Sequence, residues 1–466
     1  MESKSDHGAP VVGFILVGGA LVGAQIRDIR LANELVRRGY RVHAWWAFDR
    51  PNVSPLDPRI EQRWLFSWSR YAPWAGPSVA DALGRSMHHL SSERFRNWFA
   101  QSVPGFIGRQ VRFALQAVCK GVEHDRRLIA RFARELAETQ VTHLLPNIEI
   151  LGSFARSARD LVPSRPRYLV TFQGYEVYGN YAREAGIEQR FHDRLVEAVR
   201  HSDWPAVVVS DAYGERIERE IGIRANELVT IPPGVPVGEQ VDMQSSREMI
   251  EAHFPQYRAN LPLVTYLGRQ DSEKGLDLLM YAVRLLQRRG VKLQLAICGP
   301  TAFGATYAKA CRQIAEHLRI EVMSAGYVSN ELRSALFRAS RTVVYPSIHE
   351  EPFGMVPVEA MAQGTPVVVP DLGGIAGVVA AGGAEGGLRF DCWDSGSLAD
   401  RLEQLITNDT CHGRLSRGAQ TVADYFSIEK LGERVLSHLE LPAFSPQTAT
   451  NTEKSPETAQ SASRAA

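Results

Sequence analysis

Glu351 and Glu359 lie eight positions apart in the stretch His349–Val368, which reads HEEPFGMVPVEAMAQGTPVV. Two carboxylates at that spacing can accept hydrogen bonds from two different hydroxyl-bearing parts of one extended ligand. Between them, Pro352 offers a helix start and Gly354 permits close backbone approach. Free N–H groups at such a start can receive the negative charge of a phosphate. Upstream, Leu267–Gly275 reads LGRQDSEKG and brings two cations, Arg269 and Lys274. A guanidinium fork and an ammonium point charge can neutralise a diphosphate as it leaves. Taken singly, each Glu is a dipole-complementing or solvated carboxylate and each cation a surface charge; the complete strings support the functional reading.

Further candidates lie elsewhere. Gly18 and Gly19 open the loop GGALVGAQ, Gly299 sits in the turn CGPT, and Gln173 and Glu176 belong to TFQGYE. The spacing after Gly18 is not G-x-G-x-x-G and lacks a convincing acidic partner, so a nicotinamide site is not expected. His88, His89 and His124 lack ligand-like spacing, and no metal is assigned to them.

The elements that must position these residues follow from hydrophobic period. Val11–Val17 reads as a buried strand. A helix then runs to about Arg38, with Ile26, Ile29, Ala32, Leu35 and Val36 on one face, and Arg41–Ala47 is the next strand. Arg167–Phe172, Ala206–Val209 and Leu228–Ile231 are further strands, after which Pro232, Pro233 and Pro236 interrupt the pattern. The second half alternates strands at Leu263–Leu267, Lys292–Cys298, Thr342–Tyr345 and Pro366–Val369 with helices at Gly275–Arg289, Tyr307–His317, Glu331–Ala339, Val356–Gln363 and Leu398–Thr407. Two doubly wound α/β domains are expected, each with its own core, facing a central cleft. The first spans 1–240, with an aromatic and basic insertion at 59–135. The second spans 241–424, a crossover helix 425–441, and a tail 442–466 too poor in apolar residues to order itself.

Composition narrows the class. The formal net charge of the 466 residues is +1, which gives no general attraction for nucleic acid. The 5 Cys form no C-x-x-C pair and read as reduced thiols. The apolar run Val11–Ala24 lacks the basic lead of a signal peptide, and no run reaches the ~18–20 residues of a membrane span. A cytoplasmic location is expected. Residues 59–135 hold Trp64, Trp68, Trp74 and Trp98 and 13 Lys/Arg against 6 Asp/Glu. They read first as helices packed on the first domain, and second as a peripheral contact with the inner membrane face or a lipid-linked acceptor.

The strings E-P-F-G and E-A-M-A-x-G-T-P-V-V, with G-R-x-x-x-x-K-G upstream, resemble the donor-binding signature of the retaining GT-B glycosyltransferases of family 4. The resemblance covers 263–440 most closely and 11–240 more weakly. It implies the GT-B fold, two Rossmann-like domains about a cleft, and transfer of a hexose from a UDP-, GDP- or ADP-sugar to a sugar, glycan or lipid-linked acceptor. By the same resemblance Glu351 contacts donor-sugar hydroxyls, Glu359 the ribose, and the backbone of Pro352, Phe353, Gly354, Met355 and Val356 the sugar and diphosphate. Arg269, Lys274 and Glu351 become the catalytic candidates. Gly18, Gly19 and Gly299 face the donor, and no cofactor or obligatory metal is implied. TFQGYE resembles the family's T-x-H-G-x-D with Gln173 for His and Glu176 for Asp, which places both on the acceptor side. Gln can hydrogen-bond a sugar hydroxyl but cannot titrate, so an acid/base role does not transfer. Gly377 also stands where the family commonly has Glu. Two alternatives stay open: a nucleotide-sugar epimerase or hydrolase of the same fold, and, on these departures, a catalytically silent nucleotide-sugar-binding protein.

Overall fold

The structure, a computed structural model, describes residues 9–18, 23–48, 55–67, 125–184, 186–301 and 305–442. Gly19 and most of the aromatic and basic stretch, including Trp68, Trp74, Trp98, His88, His89 and His124, lie outside the described residues, as does the stretch from 443 onward.

The first half holds β1 (Val11–Val17), β2 (Arg41–Phe48), β3 (Glu61–Ser67), β4 (His143–Pro146) and β5 (Arg167–Tyr168), all parallel in the order β3-β2-β1-β4-β5. Strands β6 (Thr171–Phe172), β7 (Ala206–Val208) and β8 (Leu228–Thr230) form a second parallel set. The stretch expected as one strand over Arg167–Phe172 is thus two short ones. The Leu169 amide donates to Leu144 O on one side, and the Val207 amide donates to Val170 O on the other. The same extended stretch joins both sets into one continuous surface. β1 is buried at every position, as expected for a central parallel strand covered on both faces.

The second half carries β9 (Leu263–Leu267), β10 (Gln294–Cys298), β11 (Val322–Ala325), β12 (Thr342–Val344) and β13 (Val367–Pro370). Beyond them lie the short antiparallel hairpin β14 (Ala380–Ala381) and β15 (Ala384–Glu385), then β16 (Gly387–Phe390). The parallel order is β11-β10-β9-β12-β13-β16. In both halves the first strand lies between its second and fourth, so the chain leaves neighbouring strands in opposite directions and opens a crevice at their carboxyl ends.

The helix Leu276–Arg288 buries Leu276, Leu279, Met280, Val283 and Leu286 against the second sheet. Spacing of three and four residues puts these on one face, and each full burial contributes about 1.5–3 kcal/mol. The helix Ile428–His438 crosses to the first half. Leu431, Val435 and Leu436 pack in one cluster with Leu31, Leu35 and Val36 of the helix Gly23–Arg37. Gly234 sits under this crossing, where an added Cβ would lie 2.8 Å from Ile428 Cα. Separate cores were expected for the halves. Instead one apolar cluster runs through both, and Phe353 and Phe426 meet edge to face at 5.2 Å within it. Among the described residues no helix is long and apolar enough to cross a membrane.

Candidate functional site

The crevice of the second sheet opens between the loops that follow β9 and β12. Each loop is shaped by contacts that leave no room for a side chain. Gly275, at φ +61°, would place a Cβ 2.2 Å from Pro346 O, and Gly299, at φ +132°, would place one 1.9 Å from Gly268 O. The first approach brings the loop carrying Arg269 and Lys274 against the loop carrying Glu351, and the second seats the turn after β10 on the start of the Arg269 loop.

Lys274 is buried, and its Nζ donates to Glu351 Oε1. The same oxygen accepts from Ser347 Oγ at 2.9 Å and lies 3.2 Å from His349 Nε2. Lys274 Nζ also stands 5.7 Å from the centre of the Tyr345 ring. Burial works against charge on Glu351, but His349 and Lys274 outweigh it and hold the carboxyl at about 2. Burial likewise opposes the Lys274 ammonium, and Tyr345 and Glu351 turn the net shift upward. Both groups are therefore ionised at neutral pH. Arg269 is more open, with Nη1 3.1 Å from Asp271 Oδ2. The approach lacks hydrogen-bond alignment, and both Asp271 oxygens are buried without a hydrogen-bond partner. Burial raises the Asp271 carboxyl against the pull of Arg269 and Lys274.

The helix Met355–Ala362 starts beside this cluster. Its cap is Gly354, at φ +120°, with no side-chain cap bond and no acidic residue in the first turn. The start offered at Pro352 falls three residues later, at Met355, because Pro352 O and Glu351 O are used elsewhere. Pro352 O accepts from Ser210 Oγ at 2.7 Å, and Glu351 O accepts from the Gly374 amide at 2.8 Å. The Phe353 ring is buried, leaving its backbone toward the loop. Met355 reaches the other half, where a Cβ on Gly23 would meet its Cε at 3.4 Å. Gly23, the first residue of the helix Gly23–Arg37, therefore lies beside the start of the helix Met355–Ala362.

Glu359 is not part of the Lys274 cluster's bonding. One oxygen accepts from Arg30 Nη2 at 2.7 Å and the other lies 3.4 Å from Arg333 Nη1. Arg30 comes from the first half and also donates to Gly234 O at 3.1 Å. Beside Glu359 lies a cavity of about 230 Å³ lined in part by Val237, Arg333, Phe337 and Gln363.

The first sheet has its own crevice. Gln173 Nε2 donates to Asp28 Oδ2 at 2.9 Å and to Asn147 O at 2.7 Å. Asn147 Nδ2 donates to the same Asp28 oxygen at 2.6 Å. Glu176 faces a separate network, accepting from Tyr213 Oη at 3.3 Å and Arg216 Nη1 at 2.9 Å; Arg216 Nε reaches Glu350 across the cleft at 3.5 Å. Glu149 is buried with neither carboxyl oxygen hydrogen-bonded, and burial pushes it up to about 8. The sequence reading missed Ser347, His349, Asp28, Asn147, Glu149, Arg30 and Arg333. His349 was within reach, two residues before Glu351 in the quoted string. The others are single polar residues in strings that carry no signature. Among the described residues no group of three or more His, Cys, Asp or Glu is placed to hold a metal ion. Cys298, Cys311, Cys392 and Cys411 are free thiols.

Comparison with known proteins places this arrangement. Residues 250–422 match the family described as glycosyl transferases group 1. This domain belongs to the glycosyl transferases group 1. The phosphatidyl-myo-inositol mannosyltransferase of Mycobacterium leprae is 31% identical over 52% of this chain and 58% of its own length. The mannosylfructose-phosphate synthase of Agrobacterium fabrum is 30% identical over 47% and 49%. The chain thus spans about half the length of the curated relatives it matches. Among solved structures, Anabaena HepE in complex with UDP and glucose superposes with a TM-score of 0.64 at 18% identity, covering 92% of this chain and 99% of that one. Sucrose-phosphate synthase from Thermosynechococcus elongatus gives 0.67 at 19%, covering 92% and 98%. The fold is GT-B.

Proposed function

We propose that the protein is a retaining glycosyltransferase that moves a hexose from a nucleotide-diphosphate sugar to a hydroxyl of a sugar, glycan or lipid-linked acceptor. The observation that carries this reading is the buried Lys274–Glu351 pair beside Arg269 and an uncapped helix start, all in one crevice. In this reading Arg269, Lys274 and the Met355–Val356 amides neutralise the diphosphate. Glu351 accepts from hydroxyls of the transferred sugar, and Glu359 accepts from the ribose once Arg30 or Arg333 yields an oxygen. Gly18, Gly19 and Gly299 border the donor, and Gln173 and Glu176 lie on the acceptor side.

The bond from the anomeric carbon to the diphosphate oxygen breaks, and one to the acceptor oxygen forms. The acceptor proton passes to the departing diphosphate. A carboxylate held at about 2 by Lys274 and His349 is a weak nucleophile, so a covalent intermediate on Glu351 is not favoured. Assistance to the leaving group, with the acceptor entering on the face it leaves, is favoured instead and retains configuration. Two domains, 1–240 and 241–424, closing under the crossover helix 425–441, would exclude water as a competing acceptor. HepE binds UDP, and the curated relatives act on inositol lipids and sugar phosphates by name. These make UDP-sugars the first donors to test, with GDP- and ADP-sugars next, and polyol and sugar phosphates the first acceptors. A cytoplasmic protein with a peripheral membrane contact through 59–135 fits a lipid-linked acceptor.

The test is incubation of the full chain with nucleotide hexoses and this acceptor panel, with products read by mass spectrometry and anomeric configuration by NMR. A new glycoside of unchanged configuration is expected. Donor consumption without a glycoside, or no nucleotide-sugar binding by calorimetry, would overturn the reading.

A further inference from the structure

Gln173 differs from a free amide in having both of its bonds dictated. Its nitrogen meets Asp28 Oδ2 at 2.9 Å and Asn147 O at 2.7 Å, and both partners can only accept. The amide therefore cannot flip, and its donors are consumed inside the protein. Its Oε1 takes no hydrogen bond from the described residues and is not among the buried unpartnered atoms, so it remains an acceptor open to the cleft. Asp28 is the anchor. It is 3% exposed, Arg27 Nη1 holds its other oxygen at 2.6 Å, and it fixes Asn147 by the same geometry. Asn147 gives its second amide hydrogen to Ala24 O at 3.0 Å, which leaves its own Oδ1 as a buried acceptor without a partner. Only the Gln173 oxygen is thereby left outward, from a carboxylate that has almost no access to water; the Asn147 oxygen stays inside.

We infer that Asp28 is a positioning residue that fixes Gln173 as an acceptor-only contact, which selects a neutral hydroxyl of the acceptor substrate and rejects a phosphate or carboxylate at that point. The inference rests on the glycosyl-transfer reading and names a specificity determinant within it. Replacing the Asp28 carboxylate by an amide supplies a donor where there was only an acceptor. Gln173 Nε2 then faces a donor at position 28 while Asn147 O still requires its other hydrogen, so the amide loses its single fixed orientation and the acceptor-only contact is lost.

The experiment measures KM for acceptor and for donor separately in Asp28→Asn, Gln173→Met and the double variant. The donors are UDP-glucose and GDP-mannose, against free and phosphorylated hexoses, inositol phosphates and phosphatidylinositol vesicles. Losing one such hydrogen bond raises the acceptor KM about tenfold in each single variant. The donor KM shifts less than twofold, and the double variant is no worse than Gln173→Met alone. A second route covers a folding defect in Asp28→Asn. Gln173→Glu sets two carboxylates together and weakens acceptor use more than tenfold, and adding Asp28→Asn to it restores a donor–acceptor pair and recovers most of the loss. UDP affinity and melting temperature verify the fold of each variant. Equal shifts in both KM values, multiplicative losses in the double variant, or no recovery in the exchanged pair overturn the proposal and leave glycosyl transfer standing. No transfer by the unaltered protein across the panel overturns both.

Discussion

Two crevices of the same topology face each other and are furnished in opposite ways. In the second half the groups are ionised and paired: Lys274 on Glu351, with His349 and Ser347 sharing the same oxygen. In the first half the carboxylates of Asp28 and Glu149 are sealed from water, and the Gln173 amide, held by Asp28, does the outward work. The contrast follows from burial and partners. At Glu351 hydrogen bonds and charge from His349 and Lys274 outweigh burial and hold the carboxyl at about 2, whereas at Glu149 burial wins and pushes it up to about 8. A charged crevice suits a diphosphate; a neutral, acceptor-lined one suits hydroxyls. The same strand order supports both because the crevice is a property of the topology and its chemistry a property of the loops.

The sharpest way to break this contrast is to discharge the ionised side. Lys274→Ala should lower turnover by about 10³-fold, in line with removing a group that stabilises developing negative charge. Activity within tenfold of the unaltered protein would move the chemistry out of this crevice. Glu351→Gln keeps shape and removes charge; donor kcat/KM should fall by about 10²-fold, with acceptor KM little changed, and an unaltered donor profile would strip Glu351 of its role.

Stability against pH sharpens the comparison further. The folded value of Glu351 lies below its unfolded one, so its contribution is complete above about 4.5 and is lost as pH falls toward 2. Melting curves of the unaltered protein and Glu351→Gln should converge between pH 5 and 3; parallel curves would contradict the pairing. Glu149 runs the other way. Its folded value lies above its unfolded one, so its contribution is complete below about 4.5 and is lost as pH rises through about 8. Glu149→Gln should therefore remove that decline and melt about 2–4 °C higher at pH 8. A variant that tracks the unaltered protein from pH 5 to 8 would show Glu149 to be ionised after all.

How much of this was legible in the residues differs between the same two regions. In the second half the strings around Arg269, Lys274 and Glu351 announce strand, loop and helix start, and their chemistry-bearing side chains meet in the folded chain. Gly275 and Gly299 could be read as turns, although the carbonyls that forbid a side chain at each come from Pro346 and Gly268, contacts only the fold supplies. Glu359 shows the limit of the method. Its partner Arg30 is over three hundred residues away, and nothing in the pattern of the first helix distinguishes Arg30 from the other arginines there. In the first half, β3 and β4 do not stand out from the hydrophobic period, and the expected strand Arg167–Phe172 breaks in two because its ends pair with different strands. Asp28 and Glu149 could not be foreseen, because a lone acid in an amphipathic pattern reads as surface and only packing takes it inside.

Arg30 has a consequence for how the cleft is loaded. It reaches from one half of the molecule into the other and already occupies the carboxylate that a ribose would seek. Under the proposed function, an arriving nucleotide would meet a seat that is taken, and entry would be an exchange of partners rather than the stripping of water from a bare anion. On departure of the spent nucleotide, the arginine, tethered within reach by Gly234 O, would reclaim the seat.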